Sequence, residues 1–177
     1  MDPRKFLNSL FETAVAEAQP LDCVTPYLSK LDFNERIIVF GAGKASAAMA
    51  QAVEKFTSAN LEGLVITRYG YAVECQQIKI VEAGHPVPDK KGMMAAASML
   101  KTATGLTNKD SVLCLISGGG SSLLSLPAQG LSLEDKQVIT SKLLKCGATI
   151  HEINCVRKHL SSIKGGRLAV ACSPAHC

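Results

Sequence analysis

The sequence predicts an α/β domain of the three-layer α/β/α, Rossmann-like kind, built on a mainly parallel sheet. Three observations carry that prediction. Short apolar or β-branched runs alternate with alanine-rich segments of helical periodicity, which is the rhythm of βαβ units. Two of those runs, at 36–40 and 111–116, pass directly into glycine-rich turns. The composition, 47% apolar and 19% charged over 177 residues, suits one well-buried domain and argues against a disordered chain.

In chain order, a helix is predicted over residues 3–18, where Leu7, Leu10, Phe11, Ala14, Val15 and Ala18 recur at three- and four-residue steps. Asp2 is its cap, Pro3 suits its first position, and the apolar stripe predicts a packing role. A loop carrying Pro20 and Pro26 leads to a strand over 36–40. Gly41-Ala-Gly43-Lys44 then turns the chain into a helix over 44–58 with Met49, Val53 and Phe56 on one face. Strands at 63–67 and 78–82 follow, the second ending in a loop stiffened by Pro86 and Pro88. A helix over 91–104, carrying Met94, Ala97, Leu100 and Lys101, crosses back to Ser111–Ile116, which suits a central strand buried on both faces. Ser132-Leu-Glu-Asp135 and Thr149-Ile-His-Glu152 resemble capping boxes and open two further helices, the first stopped by Gly147. The second carries Asn154, Arg157, Lys158 and Ser161 at three- and four-residue spacing, ahead of Lys164-Gly-Gly-Arg167.

The functional signal is concentrated in the turns. If Ser121 or Ser122 caps a helix, the Gly118–Ser122 amides converge on one spot and favour a phosphate or carboxylate; a plain glycine turn is the alternative, although three successive glycines exceed what a turn needs. Lys44 stands at a helix start, where the dipole disfavours a cation, so it faces a bound anion or is a solvated surface lysine. The Asn154, Arg157 and Lys158 stripe either binds such an anion or is a solvated helix face. His85 either orients a ligand or is structural. The dinucleotide fingerprint fails, because Ser46 stands where a third glycine is needed and the 63–67 strand runs into Arg68 rather than an acid, though an arginine there suits a 2′-phosphate. A Walker loop is absent.

Charge and targeting signals narrow the partners. A net charge of +4, from 19 basic and 15 acidic residues without a Lys/Arg block, argues for small anions over nucleic acid. No apolar run approaches the roughly 20 residues of a bilayer span, and the opening residues lack a signal region, so a cytoplasmic protein without a membrane partner is expected. Seven scattered cysteines without a Cys-x-x-Cys pair read as reduced thiols. His151, Cys155 and His159 share a helical face but lack a fourth ligand, and the metal ligands stay unknown.

Gly41-Ala-Gly-Lys-Ala45, Thr67-Arg-Tyr-Gly70, Gly84-His-Pro-Val-Pro-Asp89, Leu115-Ile-Ser-Gly-Gly-Gly-Ser-Ser-Leu-Leu124, Gly147-Ala-Thr-Ile150, Asn154-Cys-Val-Arg-Lys-His-Leu-Ser161 and Lys164-Gly-Gly-Arg-Leu168 occur in that order. Together they resemble the amino-terminal domain of class II glycerate kinases over nearly the whole chain. The resemblance implies that residues 1–177 form that domain, that D-glycerate is phosphorylated at its 2-hydroxyl, and that the cofactors are ATP and Mg2+. It implies a catalytic Lys44, a nucleotide site on Gly41, Gly43, Gly118, Gly119, Gly120, Ser121 and Ser122, and substrate contacts from Arg68, Asn154, Arg157, Lys158 and Lys164. Magnesium is expected to be held through ATP and residues elsewhere. Some relatives carry the label hydroxypyruvate reductase, so an NAD(P)H-dependent reductase is the alternative, beside a non-catalytic anion- or nucleotide-binding module. Family members continue with another strand and a separate carboxyl-terminal domain, with the active site in the cleft between. This chain is therefore expected to supply one wall of that cleft and to be incomplete alone, with a homo-oligomer left open.

Overall fold

The computed structural model describes residues 2–33 and 36–177. In chain order it contains α1 (Pro3–Glu17), α2 (Pro20–Leu28), β1 (Arg36–Ala42), α3 (Ser46–Phe56), β2 (Asn60–Arg68), β3 (Ile78–Ala83), α4 (Lys90–Ala103), β4 (Asp110–Ile116), α5 (Gly120–Leu123), α6 (Leu133–Lys145), α7 (Ile150–His159) and α8 (Arg167–Cys172). The four strands form one all-parallel sheet in the order β3-β2-β1-β4.

Strand alternation divides the core into two halves. Ile38 and Phe40 of β1 join Leu64 and Ile66 of β2 against Ala96 and Met99 of α4. Ile37 and Val39 face the other way, with Leu61 and Val65, onto Ala50 and Val53 of α3 and Leu28 of α2. Fully burying one such large side chain stabilises the fold by about 1.5–3 kcal/mol. Helices therefore cover both faces, as the periodicity predicts.

Several local expectations are corrected. Pro20 and Pro26 belong to α2 rather than to a loop: Pro20 takes the first helical turn, where its missing N–H costs nothing, and Pro26 sits within two residues of the end. No residue of α1 is buried, and Phe11 is 70% exposed, so its apolar stripe does not pack on this domain. On α4 the inward face is Ala95, Ala96, Met99 and Ala103 while Met94 is exposed; alanines let the helix lie close on the sheet. Phe56 of α3 is likewise exposed. Strand β4 is not central. It is an edge strand, with Cys114 exposed and Ile116 57% exposed, because the chain steps β1, β2, β3 to one side and returns to the other flank of β1. Among the described residues its outer edge carries a bridge from Ser111 to His176, with Val112 N donating to His176 O at 2.7 Å and His176 N to Asp110 O at 3.0 Å. The short α5 begins at Gly120 with Gly119 as its cap, ahead of the Ser121 or Ser122 expected to cap a helix there, and α8 had no sequence signal beyond its glycines.

Polar side chains fix the ends of the sheet. The Glu54 carboxylate on α3 accepts hydrogen bonds from the amides of Gln76 (2.7 Å), Gln77 (2.8 Å) and Ile78 (2.7 Å), which anchors the start of β3. At the amino ends of β1 and β4, Arg36 pairs with Glu62 at 2.8 Å and with Asp110 at 3.1 Å. Hydrogen bonds to a charged group contribute about 1.5–3 kcal/mol. Glu54→Ala is therefore expected to lower the unfolding free energy by about 2 kcal/mol in urea titration; an unchanged midpoint would show that β3 is held by its ladder alone.

Candidate functional site

The strand order creates a switch point between β1 and β4, the place where open parallel sheets put their ligands. There the turns after the two strands meet. Ser117 N donates to Ala42 O at 3.2 Å and Lys44 N to Gly118 O at 2.9 Å. Ala45 N donates to Ser117 Oγ at 3.0 Å, and the Ser46 and Ser117 hydroxyls share a hydrogen bond of 3.1 Å. Ser46, which breaks the dinucleotide fingerprint, is thus a buried tie between the two turns. Gly43 adopts φ +146°, and a β-carbon there would run into Ser117.

The glycine loop differs from its sequence reading in one respect. Its helix, α5, is a single turn capped by Gly119 at φ +91° without a side-chain cap. One turn sums few peptide dipoles, so the helix end adds little to anion binding. Ser122 is turned inward, donating from Oγ to Gly119 O at 3.0 Å, whereas Ser121 is exposed. The amides of Gly118 and Gly119 have no hydrogen-bond partner among the described residues. Lys44 is exposed, and its side chain and the His85 ring both lie against Gly119: a β-carbon there would stand 3.6 Å from Lys44 Cε and 2.7 Å from His85 Nε2.

On the other side of the loop lies a cleft of about 360 Å³ whose lining includes Gly120, Ser121, Asn154, Arg157, Lys158 and Lys164. Capping boxes at Ser132/Asp135 and Thr149/Glu152 start α6 and α7 as the sequence predicts, and α7 presents Asn154, Arg157 and Lys158 to this cleft. The structure thus joins Lys164 to that stripe although seven residues separate it from Arg157. Lys164 Nζ donates to Leu124 O at 2.7 Å, and Arg157 to Ser121 O at 3.4 Å. Burial, with Lys136 and Arg157 nearby, brings the Lys164 ammonium down to about 7. One predicted nucleotide-site residue and one predicted substrate contact lie differently. Gly41 is inside β1, where a side chain would meet Val65 and Leu115, so its smallness serves strand packing. Arg68, at the end of β2, stacks its guanidinium over Tyr71 at 5.3 Å and is not part of the cleft lining.

Sequence reasoning missed two residues. Ser117 links three positions of the opposite turn, and only its place after an apolar strand hinted at that. Lys136 is 6% exposed, donates to Leu126 O at 3.3 Å and is brought down to about 8 by burial and then by Arg157. Its signal was available: Lys136 falls three residues after Leu133 and three before Ile139, on the inward stripe of α6.

The family model described as a domain of unknown function, DUF4147, matches residues 6–177. The chain belongs to this family. It is 49% identical to a putative hydroxypyruvate reductase of Agrobacterium vitis over 97% of this chain and 39% of the relative. It is 41% identical to a D-glycerate 2-kinase of Thermotoga maritima over 97% of this chain and 42% of that protein. The crystal structure of a glycerate kinase from Thermotoga maritima superposes with a TM-score of 0.89 at 42% identity, again over 97% of this chain and 42% of the other. The chain spans less than half the length of these relatives.

The donor set of the site is ammonium, guanidinium and amide N–H, which fits phosphate or carboxylate oxygens and does not fit a cation. No cluster of three or more His, Cys, Asp or Glu side chains suited to a metal occurs among the described residues, His151, Cys155 and His159 included. All seven cysteines are free thiols, and no helix among the described residues is long and apolar enough to cross a membrane.

Gly43 and Gly70 separate crowding from conformation, because both have positive φ but only Gly43 is crowded. A left-handed alanine costs about 1–2 kcal/mol. Gly70→Ala is expected to cost about that much in thermal denaturation, and Gly43→Ala about 2 kcal/mol more because the two turns must also separate. Equal costs would show that the turns yield freely.

Proposed function

We infer that this chain supplies the phosphate-handling wall of a glycerate 2-kinase, a cytoplasmic enzyme that moves the γ-phosphoryl group of ATP to the 2-hydroxyl of D-glycerate, and that it is the amino-terminal domain of the longer protein. The observation that carries this reading is the convergence of Lys44 on the glycine loop at the β1–β4 switch point, beside a cleft lined by Arg157, Lys158 and Lys164. Phosphoryl transfer asks a protein mainly for positioning and charge neutralisation, with no covalent nucleophile required.

Within that reading the roles divide by position. The Gly118 and Gly119 amides and Lys44 stabilise the phosphoryl oxygens as charge develops, while Ser121, Asn154, Arg157, Lys158 and Lys164 orient the anion in the cleft. Gly43 and Gly120 allow the close approach of the two turns. Bound ATP supplies the transferable phosphoryl group. Among the described residues no cluster of His, Cys, Asp or Glu would hold magnesium, so the nucleotide phosphates and residues outside these would hold it. The reductase label of the Agrobacterium vitis relatives is the weaker reading: Ser46 ties the two turns together, and β2 ends in an arginine stacked on tyrosine rather than in a ribose-binding acid.

A coupled assay for 2-phosphoglycerate with D-glycerate, ATP and magnesium tests this function. A chain extended to the length of its relatives is expected to turn over, the 177-residue chain to be inactive, and Lys44→Ala in the extended form to lower kcat by about 10²–10³ with its melting temperature unchanged. Undiminished turnover by Lys44→Ala would remove that lysine from the mechanism; hydroxypyruvate-dependent oxidation of NADH or NADPH without kinase turnover would favour the reductase.

A further inference from the structure

The three cations behind the glycine loop are arranged in a way that surface lysines are not. Lys136 on α6, Arg157 on α7 and Lys164 before α8 converge on the short stretch that follows β4. Each donates to a backbone carbonyl there: Lys136 to Leu126, Arg157 to Ser121 and Lys164 to Leu124. The ion pairs among the described residues both belong to Arg36, so none of the three cations has a carboxylate partner. Other charged groups around the cleft are also cationic. Lys158 lies on its wall, Arg167 donates to Lys164 O from the start of α8, and Lys44 lies, with the titratable His85, against Gly119 across the loop.

We propose that Lys164, backed by Lys136 and Arg157, is a proton-coupled receptor for a tetrahedral dianion: it takes a proton from solvent when the anion enters the cleft and returns it when the anion leaves. This names the ligand class and the pH response of the site described above, and it rests on reading that site as phosphate-handling. The geometry accounts for the coupling. Three partly desolvated cations without a counter-charge repel one another, and the one lysine of the three that lines the cleft, Lys164, relieves both penalties by losing its proton. A neutral Lys164 amine still donates to Leu124 O, so the empty site keeps its shape. A dianion supplies the missing counter-charge, the ammonium is restored, and its two further N–H donors become available to the ligand. A singly charged carboxylate offsets less of the repulsion and is held less tightly. Burial and the two neighbours do bring Lys164 to about 7, and Lys136 itself to about 8, so the exchange falls within the ordinary pH range.

Sulfate is the probe, because its charge stays constant from pH 6 to 9. Isothermal titration of the 177-residue chain, in buffers of different ionisation enthalpy, reads affinity and protons taken up together. Tighter binding of sulfate than of acetate, uptake of close to one proton at pH 8, and affinity falling up to about tenfold per pH unit above 7 are expected. Lys136→Met should bind several-fold more weakly at pH 6 and move the break to higher pH, because the neighbour that disfavours the Lys164 proton is gone. Lys136→Arg, which keeps the charge, should retain the wild-type break, and Lys164→Met should lose the proton uptake. A merely structural Lys136 would weaken sulfate equally at every pH. Flat affinity without proton uptake, persistence of uptake in Lys164→Met, or no sulfate binding at all would each overturn the proposal. Proton-coupled sulfate binding in a protein whose extended form fails to phosphorylate glycerate would leave this proposal standing and remove the kinase reading.

Discussion

The arrangement depends on how closely two turns approach. The turn after β1 and the turn after β4 are bridged by Ser117 N to Ala42 O, Lys44 N to Gly118 O and Ala45 N to Ser117 Oγ. At that separation no side chain fits at Gly43, and one at Gly120 would stand 2.5 Å from Ala42 O. The bridges require β1 and β4 to be in register, and the register runs from Arg36–Asp110 to Ala42–Ile116 without a slip. The ladder positions the turns, and the turns lock the end of the ladder. What the bridging leaves over is the pair of amides at Gly118 and Gly119, kept unpaired at little cost because Gly118 is exposed to water. In the phosphate-handling reading proposed above, anion recognition by backbone would follow from the same steric constraint that joins the strands.

The two ends of the sheet treat cations in opposite ways. At the amino end, Arg36 is neutralised by Glu62 and Asp110, and its charge is spent on holding three strands together. At the carboxyl end, Lys136, Arg157 and Lys164 are given only carbonyls. A buried cation without a counter-charge costs stability, and apolar residues of similar volume in its place are often neutral or better. A fold selected for stability alone has no use for one buried and two half-buried cations around one cleft. Strongly perturbed groups at a cleft are the pattern of a functional site, and here the perturbation comes first from desolvation and, for the two lysines, then from cationic neighbours.

Much of this was legible in the sequence, and the failures have physical reasons. The strand–glycine–helix units, both capping boxes, Lys44 beside a glycine turn and the α7 stripe could be read because each rests on local spacing. The edge position of β4 could not, because a continuous apolar run looks the same in the middle of a sheet and at a flank that something else covers. The face of α4 was misplaced, and Phe56 at the end of α3 with it, because alanine, not methionine or phenylalanine, makes the closest approach to a sheet, whereas Met49 and Val53 of α3 do face the core. The exposed stripe of α1 shows the converse: periodicity states that a face is apolar and not where its partner lies. Lys136 escaped because a lysine is ordinarily assigned to solvent, although its place on an apolar stripe was visible.

The site contains two kinds of positive charge, and the distinction would matter for the turnover proposed above. Lys44 is exposed, so its charge costs the empty protein nothing, and Arg157 keeps its proton under any ordinary condition. A cleft built only from such groups would hold a dianion equally well before and after reaction. Lys164 is different because its charge is conditional on an occupant. When the cleft is empty the lysine lowers the repulsion by giving up its proton, and when a dianion is present the full set of cations is restored around it. The cost of regaining that proton is subtracted from the binding free energy, which shortens the time the anion stays. Phosphoryl transfer needs strong charge neutralisation while the group is in flight and weak retention of the product afterwards. In the kinase reading proposed above, a half-buried lysine among cations meets both needs with one side chain, which would tie its partial burial to the chemistry of the cleft rather than to the stability of the fold.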